Sequence, residues 1–363
     1  EEVRLARFKY GTYFVFQRDD QINDIGSPTD PTDGLGVLTN AFLVSITGLI
    51  VMTALSTALT PMSVPLLVVV DLVRGRRRLP LVRLNLFGVW WCWIEMIGVV
   101  SAFGMWLAGR ARDGDLHYRL MSWWAGALMW GMGSAMGRRP EVDGVEQLAT
   151  GRAIVLSRHA SLADSLLSAW SIATIARLHP RYVLKRELLW DPCLDVVGLR
   201  IPNHFLARAV DDNSAELEAL RELARGLGER DVVVIFAEGT RANPTKRARA
   251  LERIAERSPE RAARMSELRH LLPPRPTGSV ALVEADPAND LVSAWHVGFE
   301  GMDTFGGIIS VLTSGVPAFR FVVTRHDRAS VPTGSGFADW LDTRWLEMDS
   351  EVDRALRQGD DDA

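Results

Sequence analysis

Cysteine and lysine are nearly absent from this chain. Cys92 and Cys193 are the only thiols in 363 residues, which excludes a disulfide framework, and neither has a metal-ligating neighbour at the usual short spacing. The pattern fits a reducing compartment. Lysine occurs only at Lys9, Lys185 and Lys246, so basic charge is carried by arginine, a coding habit of GC-rich bacterial genomes. Neither sign dominates: 41 Lys and Arg stand against 45 Asp and Glu, a net charge of -4, and no gross signal points to nucleic acid. Charge is also missing locally. Residues 34–70 form a run of 37 without a single charge, and in 84–109 Glu95 is the only one. Both exceed the roughly 20 apolar residues that cross a bilayer. A cleaved signal peptide does not fit, because the first run begins after thirty-odd mixed residues.

These absences divide the chain. Residues 1–33 form an arm with clustered aromatics, readable as a packing strand or an interfacial segment, that ends in the turn-rich string SPTDPTDG. Residues 34–140 are predicted to be membrane-associated helices. Pro61 and Pro65 predict a break or hairpin in the first. The loop holding Arg74, Arg76, Arg77, Arg78 and Arg83 has no acid, the pattern of a cytoplasmic segment facing anionic lipid. A third apolar run, 120–137, reads equally as a short span or an interfacial helix.

Beyond Pro140 the rhythm changes to alternating short β-type and longer helical stretches, which predicts an α/β domain over 141–335 followed by a C-terminal helix and acidic tail over 336–363. Strands are expected at 153–157, 182–185, 203–207, 232–236, 294–299 and 318–324. Helices are expected at 161–177, 214–227, 245–269 and 336–357. In the third of these, nine Lys or Arg interleave with four Glu between positions 241 and 269. That predicts a solvated helix laced with ion pairs, with contact to anionic headgroups or coenzyme phosphates as the alternative.

Two strings carry the chemistry. RHASLAD (158–164) follows the apolar run AIVLS, so His159 falls at a strand end, where α/β sheets place reactive groups. Asp164 lies five positions on and can pair with His159 only across a turn at Ala160 and Ser161, the latter a suitable N-cap. An Asp behind a His fixes the tautomer and stabilises the imidazolium when the ring acts as base. FAEGTR (236–241) follows DVVVI. Gly239 allows a tight turn, Thr240 offers a hydroxyl, and Arg241 offers a planar fork suited to phosphate. Glu238 reads as a positioner of that arginine or of the acceptor, or as its ion-pair partner. His270 and His296 read as structural.

The two strings resemble the NHxSxxD and FPEGTR motifs of the glycerophospholipid acyltransferase family. YVLKRELLWDP (182–192), with Lys185, and HFLAR (204–208), ending in Arg208, resemble two intervening motifs. LLPPRPTG (271–278), the stretch around Glu95 and the segment 337–356 resemble the branch that includes lysocardiolipin acyltransferases. Two positions depart from the pattern: Arg158 replaces the usual Asn and Ala237 the usual Pro.

The resemblance implies an α/β fold, a mixed sheet flanked by helices, with an N-terminal helical membrane anchor. It implies direct transfer from acyl-CoA, or an acyl carrier protein thioester, to the hydroxyl of a lysophospholipid such as 1-acylglycerol 3-phosphate. His159 and Asp164 would be catalytic. Glu238, Gly239, Thr240, Arg241, Arg208 and Lys185 would meet the acceptor phosphate, with Arg158 and Ser161 as further acceptor or coenzyme contacts. The oxyanion donors are expected among backbone amides near the histidine loop. No metal and no cofactor beyond the acyl donor is implied, membrane lipids are the expected surroundings, and the site is expected on the cytoplasmic face of a bacterial cell membrane. The alternatives are another lyso-lipid acceptor, a thioesterase, or a non-catalytic lipid-binding protein.

Overall fold

The computed structural model describes residues 4–8, 11–15 and 34–361, apart from positions 149, 150, 162, 186, 187, 189, 190, 207–213, 303, 317 and 318. Two strands in the N-terminal arm, β1 (Arg4–Phe8) and β2 (Gly11–Val15), pair antiparallel. Three helices follow: α1 (Gly34–Val73), α2 (Pro80–Leu107) and α3 (Gly114–Met136).

Pro61 and Pro65 do not break α1, contrary to expectation. Neighbouring hydroxyls hold the proline region onto α2: Trp93 donates to Thr57 Oγ1 at 3.0 Å, and Ser63 donates to Asn85 Oδ1 at 3.2 Å. Such outside partners let an apolar helix run through proline. The turn between the helices is fixed by buried Asp71, whose Oδ2 accepts from Leu81 N at 2.9 Å and so satisfies a first-turn donor of α2.

α2 is packed against the rest of the protein along most of its length. Phe87, Trp90 and Trp91 join the main core, Glu95 Oε1 accepts from Trp124 of α3 at 2.9 Å, and Ala102 packs on Cys193 and Val197. At Gly98 an added Cβ would lie 2.6 Å from Cys193 Sγ. The outer faces of α1 and α2 expose Met52, Leu55, Leu59, Met62 and Leu66, and Trp93, Ile97, Val100 and Phe103. α3 buries one face in the protein and leaves Trp123 and Trp130 exposed on another. Asp113 caps its start by accepting from Leu116 N at 3.0 Å, and Ala125, Leu128, Met129 and Met132 are buried in a core shared with α5 and β4.

Among the described residues the sheet has seven strands: β3 (Glu141–Asp143), β4 (Ala153–Ser157), β5 (His179–Lys185), β6 (His204–Leu206), β7 (Asp231–Phe236), β8 (Asp290–Val297) and β9 (Arg320–His326). Their order is β3-β9-β8-β4-β7-β5-β6, with β8 and β9 antiparallel and all other neighbours parallel. All five residues of β4 are buried, as a central strand covered on both faces requires. Ala153 and Val155 point to a core shared with α3 and with α5 (Asp164–Ala169), and Ile154 and Leu156 to a second core. That second core is closed by α7 (Ser214–Ala224), α10 (Pro276–Ala285) and α12 (Ser335–Asp361). Between the strands also run α4 (Val145–Leu148), α6 (Pro192–Gly198), α8 (Pro244–Ala255), α9 (Pro259–Met265) and α11 (Phe305–Ser314).

The single helix expected over 245–269 is two. Ser258 caps α9 and Pro259 starts it. Arg261 Nε then reaches Asp342 of α12 at 2.7 Å and Arg264 reaches Asp342 at 2.9 Å. The expected ladder of ion pairs is therefore replaced by pairing across to α12. Among the described residues, Arg249, Arg253 and Arg257 make no ion pair with Glu252, Glu256 or Glu260.

Candidate active site

Strand register assembles the site. Ser157 at the end of β4 pairs with Phe236 of β7 on one side and with Ala294 of β8 on the other. Two residues further along each chain stand His159, Glu238 and His296, side by side at the carboxyl end of β4 and β7. That edge is where open α/β sheets bind their ligands.

The turn required between His159 and Asp164 is present, and Asp164 itself builds it. Its Oδ2 accepts from Ala160 N at 2.6 Å, Ser161 N at 2.8 Å and His159 Nδ1 at 2.8 Å, while Oδ1 accepts from the Ser161 hydroxyl. α5 begins only at Asp164, so Ser161 is not its N-cap. Its hydroxyl orients the carboxylate instead, and accepts from Ala163 N at 3.1 Å. Burial of Asp164 opposes its ionisation. The His296 and His159 imidazoles nonetheless hold its carboxyl well below the usual carboxylate range. With Nδ1–H committed to Asp164, the free lone pair of His159 lies on Nε2, and the ring, against Phe236 at 4.8 Å between centroids, keeps 16% of its side chain exposed.

Glu238 does not reach Arg241. Its Oε1 accepts from His159 N at 2.9 Å and its Oε2 from Leu272 N at 3.0 Å. Ala242 N donates to His159 O at 2.7 Å, so the second string grips the histidine backbone from both directions. Burial pushes the Glu238 carboxyl up to about 8, against the two backbone donors, which favour the anion. Above that value the ionised carboxylate accepts both bonds, whereas an amide must turn its NH2 toward one donor at any pH. Measured above pH 8, Glu238→Gln is therefore expected to lower kcat about 10²-fold by displacing His159, with substrate KM little changed. Steady-state kinetics on the folded variant checks this, and a loss below threefold would refute the bracing role.

Arg158 is folded into the protein at the end of β8. It is buried, its Nη1 pairs with Glu300 Oε1 at 3.1 Å and donates to the His296 carbonyl, and a desolvated guanidinium held this way fixes the end of β8. Ser161 is likewise buried on Asp164. Neither is available as an acceptor or coenzyme contact, contrary to expectation. The expected oxyanion donors are also committed elsewhere, since the amides of His159, Ala160 and Ser161 all donate to carboxylates.

Gly239 sits at φ +69°, and a Cβ there would meet the Arg275 side chain at 3.2 Å, so glycine answers both a left-handed turn and a close approach. Thr240 Oγ1 accepts from Lys246 Nζ at 3.1 Å. Arg241 is partly exposed, and its guanidinium makes no ion pair with the described residues. Lys246 and Arg275 are cations beside this turn that the motif spacing did not single out. Lys185 ends β5 on the same edge and is exposed. Arg208 lies outside the described residues. His296, read from sequence as structural, faces the carboxylate: its Nε2 is 3.1 Å from Asp164 Oδ1. Among the described residues, no cluster of His, Cys, Asp and Glu is arranged to hold a metal.

Residues 139–284 match the family model described as Acyltransferase, and this stretch contains both strings and the braced histidine. Among solved structures, the crystal structure of the 1-acyl-sn-glycerophosphate (LPA) acyltransferase PlsC from Thermotoga maritima is similar at 16% identity and a TM-score of 0.49, covering 75% of this chain and 96% of that one. No curated protein matches the chain.

Proposed function

We propose that the protein is a membrane-bound O-acyltransferase that moves an acyl chain from acyl-CoA to the free hydroxyl of a lysophospholipid, with 1-acylglycerol 3-phosphate as the acceptor and phosphatidic acid as the product. The observation that carries this reading is the 2.8 Å contact between His159 Nδ1 and buried Asp164, set beside a turn that presents Thr240 and Arg241. His159 Nε2 takes the proton of the acceptor hydroxyl while its oxygen attacks the thioester carbonyl carbon. The tetrahedral intermediate then collapses, the C–S bond breaks, and the imidazolium returns its proton to the departing thiolate. Asp164 stabilises that imidazolium, so no enzyme nucleophile is needed.

Among the described residues, two helices are long and apolar enough to cross a membrane. Because α2 is packed on the catalytic domain along one side, the arrangement suits a hairpin lying in the interface with its apolar face in the acyl chains. Held there, the site takes a lipid acceptor from the leaflet without moving it through water.

The test is an assay of the full chain in mixed micelles with labelled acyl-CoA, or acyl carrier protein thioester, and a panel of lyso-lipids that includes lysocardiolipin, lysophosphatidylinositol and phosphate-free monoacylglycerol. Arg241→Ala is expected to raise KM for phosphate-bearing acceptors by about 10- to 100-fold, as removal of a charge-assisted hydrogen bond does, and to leave monoacylglycerol little affected. A rise confined to the KM of acyl-CoA would move Arg241 to the donor, and no transfer to any acceptor would refute the activity.

A further inference from the structure

His296 is buried, 1% exposed, at the end of β8, and packing does not explain its imidazole. Its ring lies edge-on to Phe299 at 5.8 Å, and Phe321 of β9 is its partner in register. A leucine or phenylalanine suits such surroundings. Neither ring nitrogen makes an aligned hydrogen bond with the described residues, and a buried polar group left so is destabilising. Among the described residues Nε2 approaches Asp164 Oδ1, at 3.1 Å, an electrostatic contact short of a full hydrogen bond.

Asp164 thus stands between two imidazoles, with His159 on Oδ2 and His296 on Oδ1. The rings differ in access: the His159 side chain is 16% exposed and that of His296 1%. Only His159 can meet a substrate. The other groups set around His296 are Arg158, whose guanidinium holds the His296 carbonyl, and Glu300, paired with Arg158 at 3.1 Å. Phe299 and Phe321 bring no charge.

We propose that His296 is a positioning residue for the transfer reaction, holding Asp164 from the side opposite His159 and drawing off part of the carboxylate charge that would otherwise act on the reacting ring. This rests on His159 being the base of the proposed acyl transfer. The charge argument gives a sign. Each polar hydrogen set beside Oδ1, whether hydrogen-bonded as in Ser161 or in electrostatic contact as in His296, weakens the pull of Asp164 on the His159 imidazolium, so removing one strengthens that pull. His159 then keeps its proton to higher pH, and less of it is free to act as base near neutrality. Ser161, whose hydroxyl donates to the same oxygen, makes a second route to the same effect.

The experiment compares wild type, His296→Leu, His296→Gln and Ser161→Ala as full-length protein in mixed micelles, with acyl-CoA and 1-acylglycerol 3-phosphate. In His296→Leu the acid limb of kcat is expected to move up by about half to one pH unit. At pH 7 kcat should fall about 3- to 10-fold with acceptor KM unchanged, as expected when a base is mistuned and substrate binding is intact. His296→Gln, which can return a donor to Oδ1, should recover most of the shift, and Ser161→Ala should move the limb in the same direction. A folded His296→Leu variant with the wild-type limb and rate would overturn the proposal. Should wild type transfer to no acceptor, NMR titration of the His159 ring still decides: a higher midpoint in His296→Leu and Ser161→Ala supports the positioning role, and unchanged midpoints in both overturn it, independently of the acyltransferase reading.

Discussion

His159→Ala is expected to lower kcat by about 10³- to 10⁴-fold, the upper range for a general base held in place. The loss should be this large because the titratable groups described beside the ring are already occupied. Asp164 and His296 are buried with side chains 1% exposed, and Glu238 is buried with both oxygens on backbone amides. The fold should survive. Among the described residues the ring makes a single hydrogen bond, to Asp164, and the carboxylate keeps the amides of Ala160 and Ser161 and the Ser161 hydroxyl when the ring is removed. Thermal unfolding close to wild type, together with unchanged binding of the lyso-lipid, would confine the defect to chemistry. A loss of less than tenfold would mean that another group deprotonates the acceptor.

Asp164→Asn comes second, with an expected fall in kcat of about 10²- to 10⁴-fold. Every described neighbour of this carboxylate is a donor: two backbone amides, one hydroxyl and His159 Nδ1, with His296 Nε2 at 3.1 Å. An asparagine must set its NH2 against one or more of them, whichever way it turns. If the NH2 faces His159, Nδ1 becomes an acceptor and the proton moves to Nε2, the atom that must be bare to act as base. The buried donors left without an acceptor should also destabilise the fold, by about 1–3 kcal/mol each. Asp164→Asn should therefore lower both kcat and the unfolding temperature, whereas His159→Ala lowers kcat alone. Wild-type kcat in folded Asp164→Asn would show that the pair does not set the tautomer.

The site was readable from sequence as far as local pattern reaches. AIVLS and DVVVI end at β4 and β7 as their apolar runs dictate, and the turn between His159 and Asp164 follows from a spacing that one helix face cannot satisfy. Roles that depend on strand order were not readable. Glu238 looked like a partner for Arg241 because the two are three residues apart, yet it stands beside His159 once β7 lies next to β4. His296 looked structural because only the β4–β8 register brings it to Asp164. Arg158 looked like a substrate contact because Glu300, which neutralises it, lies far along the chain. In α1 the prolines signalled a break that bonds to α2 remove, and in α3 the tryptophan-rich pattern did not show that Leu128, Met129 and Met132 enter the core shared with β4 and α5.

The most direct test of His159-driven acyl transfer is to supply the purified full-length protein, in mixed micelles, with labelled acyl-CoA and 1-acylglycerol 3-phosphate, and to follow free thiol and the diacyl lipid together. The predicted result is that wild type releases one thiol for each diacyl product formed, while His159→Ala, folded and able to bind lipid, forms about 10³-fold less of both. Thiol release without diacyl lipid would make the enzyme a thioesterase, and equal product from wild type and His159→Ala would contradict the assignment of His159 as the base.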